Sequence, residues 1–177
     1  MTAPPPPDEL TLDVAVEDDG WQGVLDEAAA RGAVAAALAE GREGGAAEVS
    51  LLLTSDEDVR ALNRDWRGKD RPTNVLSFPA PPEATLPGAP RALGDMALAL
   101  GTVVAEAGAA GLAPRDHALH LIVHGTFHLL GYSHEHDEEA ARMEALEVAA
   151  LARLGLPDPY ALRSEEMSAA PSPPKAP

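Results

Sequence analysis

Apolar and polar positions along this chain follow two rhythms. From Leu10 to Val16 the residues Leu10, Leu12, Val14 and Val16 alternate with Thr11, Asp13 and Ala15, the period of two that marks a half-buried strand. Glu48–Leu53, Thr73–Phe78 and Gly94–Leu100 read as further strands. Between them the period lengthens. Trp21–Ala39 is alanine-rich and predicts a helix. Ser55 is placed to cap another, with Asp56, Glu57 and Asp58 in the first turn, where carboxylates favour the helix dipole. That helix is expected to end near Trp66. Thr102–Ala110 and Pro114–Leu130 predict two more, and Asp137–Leu154 a last, amphipathic one. With strands concentrated in the first half and helices packed on them, the expected class is α+β. It would hold a mixed sheet of roughly four strands and about five helices, not a repeated βαβ array.

The segment Pro114–Leu130 departs from ordinary amphipathicity. Ala118, Leu119, Leu121, Ile122, Val123, Phe127, Leu129 and Leu130 make it apolar on nearly every side, which marks a buried helix. Its one polar stripe is histidine: His117, His120, His124 and His128 fall within an arc of roughly 80°. An unpaired polar group is costly to bury, so the stripe must face a cleft, a ligand or hydrogen-bonding partners. His124 and His128, four apart, project about 40° from one another and can reach one ion. Gly131 can turn left-handed and end the helix, which lets His134 fold back as a third nitrogen ligand. His136 is the rival for that place. Three protein ligands with one open position is the plan of a catalytic zinc site. His117 and His120 are expected to bond to neighbouring side chains or to support the ligands. The loop Pro79–Pro90, with five prolines, is expected to rim the site.

Composition narrows the chemistry. There is no cysteine, so disulfides and thiolate ligands are excluded and histidines and carboxylates must do any metal work. At 177 residues the chain is expected to form one domain over residues 10–160, with proline-rich disordered tails at 1–9 and 161–177. Neither a signal-peptide pattern nor a run of transmembrane length is present, so the expected location is the cytoplasm. The net charge of −16 argues against broad wrapping by nucleic acid. One strip runs the other way. Arg60, Arg64, Arg67, Lys69 and Arg71 stand against Asp65 and Asp70, a local excess of three, suited to an anionic substrate bound at one place.

The spacing His124-x3-His128-x2-Gly131-x2-His134 resembles the metzincin zinc signature, with Gly125 where that signature has its glutamate base. A closer resemblance is to the bacterial YbeY family of rRNA maturation endoribonucleases. It is carried by Asn63 with Arg67-Gly-Lys-Asp and Pro72-Thr-Asn-Val-Leu-Ser-Phe-Pro79, by Leu93-Gly-Asp95, and by His120 through His134 followed by Glu138-Glu-Ala and Met143-Glu-Ala-Leu-Glu147. Ser133 stands where that family usually has aspartate. The resemblance implies a single-strand-specific, zinc-dependent endoribonuclease of 16S rRNA 3′-end maturation and late ribosome quality control. It implies a metzincin-like zinc helix buried against the sheet, and one Zn2+ per chain on His124, His128 and His134. It also implies a catalytic role for Arg67 and His124, and substrate binding by Arg67, Lys69 and Arg71. The implied partners are single-stranded rRNA, the small ribosomal subunit, one of its proteins and an assembly GTPase, and no membrane. Asp95 and His120 are candidates for the general base. Two other readings use the same residues: a metalloprotease, against which Gly125 counts, and a non-catalytic assembly factor in which zinc holds the fold together.

Overall fold

The alternating segment at the start of the chain forms β1 (Leu10–Val16), with Leu10 and Leu12 buried and Thr11 and Asp13 exposed. It lies parallel to β2 (Ala47–Thr54), which lies parallel to β4 (Arg91–Ala99); β3 (Val75–Pro79) closes the far edge antiparallel to β4. The four-stranded mixed sheet therefore runs β1-β2-β4-β3. The computed structural model describes residues 9–41 and 43–161. Its helices are α1 (Glu27–Glu40), α2 (Asp56–Arg67), α3 (Leu100–Ala110), α4 (Pro114–Leu129) and α5 (Asp137–Arg153). This is the expected α+β class. A single βαβ crossover joins β1 to β2, and the β3–β4 hairpin breaks any further repeat. The proline tails expected at the ends lie outside the described residues, apart from Glu9 and Ala161.

The helix expected from Trp21 begins instead at Glu27. Asp26 has extended backbone angles and its carboxylate accepts from Ala29 N, which fixes the start of α1. Trp21 sits in a short 3-10 helix, Asp19–Gly23, because its indole is fully buried and its Nε1 donates to the carbonyl of Thr54 at 2.9 Å. Satisfying that N–H in the core outweighs continuing an alanine-rich helix.

The two faces of the sheet carry different helices. Val49, Leu51, Leu53, Met96 and Leu98 pack with α1 and α4 in the main core. Val59, Leu76, Ala97 and Ala99 form a smaller core under α2 on the other face. Leu119, Leu121, Ile122, Val123, Phe127 and Leu129 are all buried along α4, each contributing about 1.5–3 kcal/mol gross when taken from water. α4 comes close to the strands at Gly125, where an added Cβ would lie 2.6 Å from Met96 Sδ and 3.0 Å from Ser77 Oγ. Ser77 Oγ donates to the Gly125 carbonyl at 3.3 Å. The loop after β3 lines a cavity of about 380 Å³ together with Arg91, Ala92 and Leu93 of β4 and Leu129 of α4.

β4 starts earlier than its alternation suggested because it carries a bulge. Ala92 pairs with Glu48 and Gly94 with Val49, so Leu93 is the extra residue. Gly94 takes φ +133°, and a Cβ there would sit 2.1 Å from the Phe78 carbonyl oxygen and 2.8 Å from Ala80 N. Backbone cannot yield as a side-chain tip can. Gly94→Ala should therefore cost roughly 3 kcal/mol or more and lower Tm by about 6–12 °C. Thermal unfolding checks this, and a melting curve unchanged to about 2 °C would refute the steric account.

Candidate metal centre

α4 delivers two of its histidines to one point and then stops abruptly. Gly131, at φ +92°, donates its N–H to His128 O at 3.0 Å, and Tyr132 N donates to Phe127 O at 3.0 Å. These are the two bonds of a Schellman ending, and the Tyr132 ring completes it by packing edge-on against Phe127, centroids 5.5 Å apart. The chain reverses, and His134 comes back over the helix end. One nitrogen from each of His124, His128 and His134 lies within 4.8 Å of the others. The imidazole centroids are 4.5 Å (His124–His128), 5.0 Å (His128–His134) and 5.6 Å (His124–His134) apart. His134 is exposed and the helical pair half-buried, so the cluster is open on one side.

Hydrogen bonding settles what the cluster can hold. His128 Nδ1 lies 3.0 Å from the carbonyl of Tyr132, which can only accept, so the proton is on Nδ1. His124 Nδ1 bonds the Glu147 carboxylate, again an acceptor. Both Nε2 atoms therefore present lone pairs, and they face each other at 2.9 Å. Protonating His128 does not relieve this, because burial, with His124 alongside, pushes it down to about 4. A cation between them does. Zinc–nitrogen bonds of about 2.0–2.1 Å in a tetrahedron space the nitrogens roughly 3.3 Å apart, a small opening of what is present. The three residues fit a transition-metal ion.

Glu147 holds this arrangement from behind. It lies on α5 in the stripe Met143, Glu147, Ala150, Leu151 and is 1% exposed. Burial pushes its carboxyl up, but hydrogen bonds from His120 and His124, the charge at His124, and Tyr160 outweigh that and hold it down at about 2. Its partners are His124 Nδ1, His120 Nε2 at 3.3 Å and the Tyr160 hydroxyl. Sequence reasoning assigned Glu147 no role, although a glutamate on an apolar stripe was the signal. Further along α4, His117 Nε2 is 2.7 Å from Glu106, and Asn74 Nδ2 donates to the same carboxylate at 3.0 Å. His117 and His120 thus bond to carboxylates beside the cluster, as expected.

The basic strip sorts itself by pairing. Arg60 forks onto Asp70, holding that carboxyl below its ordinary value, and Arg64 pairs with Asp65. The local excess of three that remains is Arg67, Lys69 and Arg71. All three line one cavity of about 320 Å³, together with Asn63, Asn74 and Glu106. Arg67 is the last residue of α2, not the first beyond it, and pairs with neither aspartate. Its guanidinium donates to the Ser77 carbonyl at 2.7 Å and stands 5.5 Å over the Phe78 ring. Asp95 falls elsewhere. It pairs with Phe78 and Ser50 on the sheet face opposite α4, so it is not placed to act as a base at the cluster. His136 is the N-cap residue of α5 and is not among the clustered nitrogens. Ser133 Oγ accepts from Glu135 N at 3.1 Å, a turn bond that an aspartate could equally accept.

Residues 16–155 match the family described as Endoribonuclease YbeY. The chain belongs to the YbeY family. Relatives named Endoribonuclease YbeY include one from Azorhizobium caulinodans, 51% identical over 88% of this chain and 99% of its own length. Another, from Erythrobacter litoralis, is 46% identical over 88% of this chain and all of its own. The solution structure of TM1509 from Thermotoga maritima has the same fold, at TM-score 0.53 and 22% identity over 94% of this chain. The YbeY match spans Arg67, the basic cavity, all six histidines and Glu147, and ends before Tyr160.

Three outcomes follow from this geometry. Purified protein should carry one metal ion per chain; His134→Ala should lose most of it on dialysis, while His136→Ala keeps it, as metal analysis will read. The reverse pattern would exchange the third ligand. Removing the metal should also lower Tm, because an ion bound only by the native state stabilises it by mass action. In the metal-free protein, the depressed His128 pKa makes the unfolded chain the first to take up a proton. Stability should therefore be fully present above about pH 6.5 and fall as pH drops towards about 4. Melting curves independent of pH across that window would contradict this.

Proposed function

We propose that this chain is a single-strand-specific, zinc-dependent endoribonuclease of the cytoplasm. It acts in maturation of the 16S rRNA 3′ end and in late ribosome quality control, on the small subunit with one of its proteins and an assembly GTPase. The observation that carries the nuclease reading is a continuous polar run along α4. It starts at the basic cavity with Asn74–Glu106–His117 and continues through His120–Glu147 to His124 and the open histidine cluster. Cations that could hold phosphate at one end of the histidine stripe and a metal site at the other are what phosphodiester cleavage needs.

His124, His128 and His134 would hold zinc, which when bound would supply Lewis acidity and lower the pKa of a water towards neutrality. The chain's own residues do the rest. His124 enters the chemistry as a ligand whose ring is fixed by Glu147. Lys69 and Arg71 are point and fork donors for backbone phosphates, and Arg67 offers a planar fork to a non-bridging oxygen as charge develops on it. The bond from Arg67 to Ser77 O aims that fork from a strand that touches α4 through Ser77 and Gly125. His120 commits Nε2 to Glu147 and Tyr160, so Nδ1 is the nitrogen through which it would act as a base. The protease reading lacks its base, since residue 125 is glycine, and the side from which its Cβ would project is packed against Met96 and Ser77.

Incubating metal-loaded protein with precursor and mature rRNA, with His124→Ala as control, tests the function; new ends that need both metal and His124 are expected. Absence of cleavage with full complementation in cells would instead establish the non-catalytic assembly factor. Arg67 divides the two more finely. Arg67→Ala should keep the metal and lose only about 1 kcal/mol of stability, yet reduce cleavage roughly 100-fold or more, and Arg67→Lys should recover only part. A stable Arg67→Ala protein with full cleavage would return this side chain to the role of tying α2 to β3.

A further inference from the structure

We infer that Tyr160 is a positioning residue for the metal site, acting through Glu147 on His124; this rests on the histidine cluster being a metal centre. Tyr160 follows α5, beyond the turn made by Gly155, Pro157 and Pro159. That turn is built: Asp158 Oδ1 accepts from Tyr160 N at 2.7 Å. The phenol ring packs edge-on against His120, centroids 5.7 Å apart. Its hydroxyl donates to Glu147 Oε2 and stands 3.3 Å from His120 Nε2, while Glu147 Oε1 takes His124 Nδ1. One buried carboxylate thus has one oxygen on the ligand and the other shared by Tyr160 and, at 3.3 Å, His120 Nε2.

The consequence is geometric. With both oxygens engaged, the carboxylate plane is fixed, and with it the ring orientation and tautomer of His124. Tyr160 also stands with His124, His134, Met143 and Glu144 around a cavity of about 310 Å³, so the segment after α5 forms a wall of the metal site. Residue 160 lies past the matched span 16–155, so this wall is supplied by a part of the chain that the family match does not reach.

Tyr160→Phe removes one oxygen and keeps the ring against His120. Zinc affinity, read by competition with a chromophoric chelator, should fall about 10- to 100-fold, the range for partners that orient a ligand. The visible spectrum of the cobalt-substituted protein should shift, since it reports ligand geometry directly. Metal-free Tyr160→Phe should stay folded at the assay temperature, melting only about 3–12 °C below the metal-free wild type, the effect of losing one hydrogen bond to a buried carboxylate. Glu147→Gln should weaken zinc binding too, and adding Tyr160→Phe to it should cost little more, because both act on one path. Unchanged affinity and cobalt spectrum in Tyr160→Phe would overturn the inference. So would additive losses in the double variant, or a fall in metal-free Tm that accounts for the weaker binding. These are separate from failure of the metal reading itself, in which the wild type would take up no zinc.

Discussion

A carboxylate removed from water costs several kcal/mol unless its oxygens are paired, and Glu147 is 1% exposed. Much of the site can be understood as the answer to that cost. His124 gives up its Nδ1 proton side to Glu147, which leaves Nε2 as a lone pair pointing at His128. His128 makes the same commitment to the Tyr132 carbonyl, and that carbonyl is where it is because Gly131 ended α4 with a tight reversal. The same reversal brings His134 within reach. Three imidazoles converge because three unrelated pieces of backbone and side chain each settle the other nitrogen, or the position, of one of them. The arrangement is preorganised for a cation.

How much of this the sequence showed depends on the range of the interaction. The period of two at Leu10–Val16, the cap at Ser55 and the all-round apolar α4 are local patterns, and each appears in the structure close to its expected bounds. The histidine spacing was equally local: residues 124 and 128 share a helix edge whatever the rest of the chain does. Trp21 was different. Nothing near it announces that its indole will reach Thr54, thirty-three residues away, and that bond is what keeps the first turns of the expected helix from forming. The bulge at Leu93 is of the same kind, since it arises from where the Phe78–Ala80 backbone passes Gly94. Glu147 was legible in principle, as a charge on an apolar stripe, but its three partners come from residues 13 to 27 positions away and no pattern names them.

The basic strip shows the same division between count and pairing. A net excess of three positive charges between residues 60 and 71 could be read from composition, and two arginines are neutralised by their neighbours Asp70 and Asp65. Which three remain is decided by helix geometry and by the Gly68 turn, φ +68°, that carries the chain from α2 towards Lys69 and Arg71. The survivors share a cavity with Glu106, the carboxylate bonded to His117. Positive charge is thereby focused at one end of the histidine stripe on a molecule of net charge −16.

That combination bears on specificity. An acidic surface repels a polyphosphate chain at a distance, and screening confines the repulsion to roughly 8 Å at physiological ionic strength. On the function proposed above, a strand of RNA would gain where the local field reverses, at Arg67, Lys69 and Arg71. A duplex held along its whole backbone would meet far more acidic surface than a single strand that can bend into one cavity. Gly125 adds a second restriction from inside. By bringing α4 against Met96 and Ser77 it spends the position beside His124 on packing, so no acid on α4 itself can approach the cluster from that side. The open side of the cluster is then the exposed side of His134, where solvent water and, on the function proposed above, a substrate phosphate would enter.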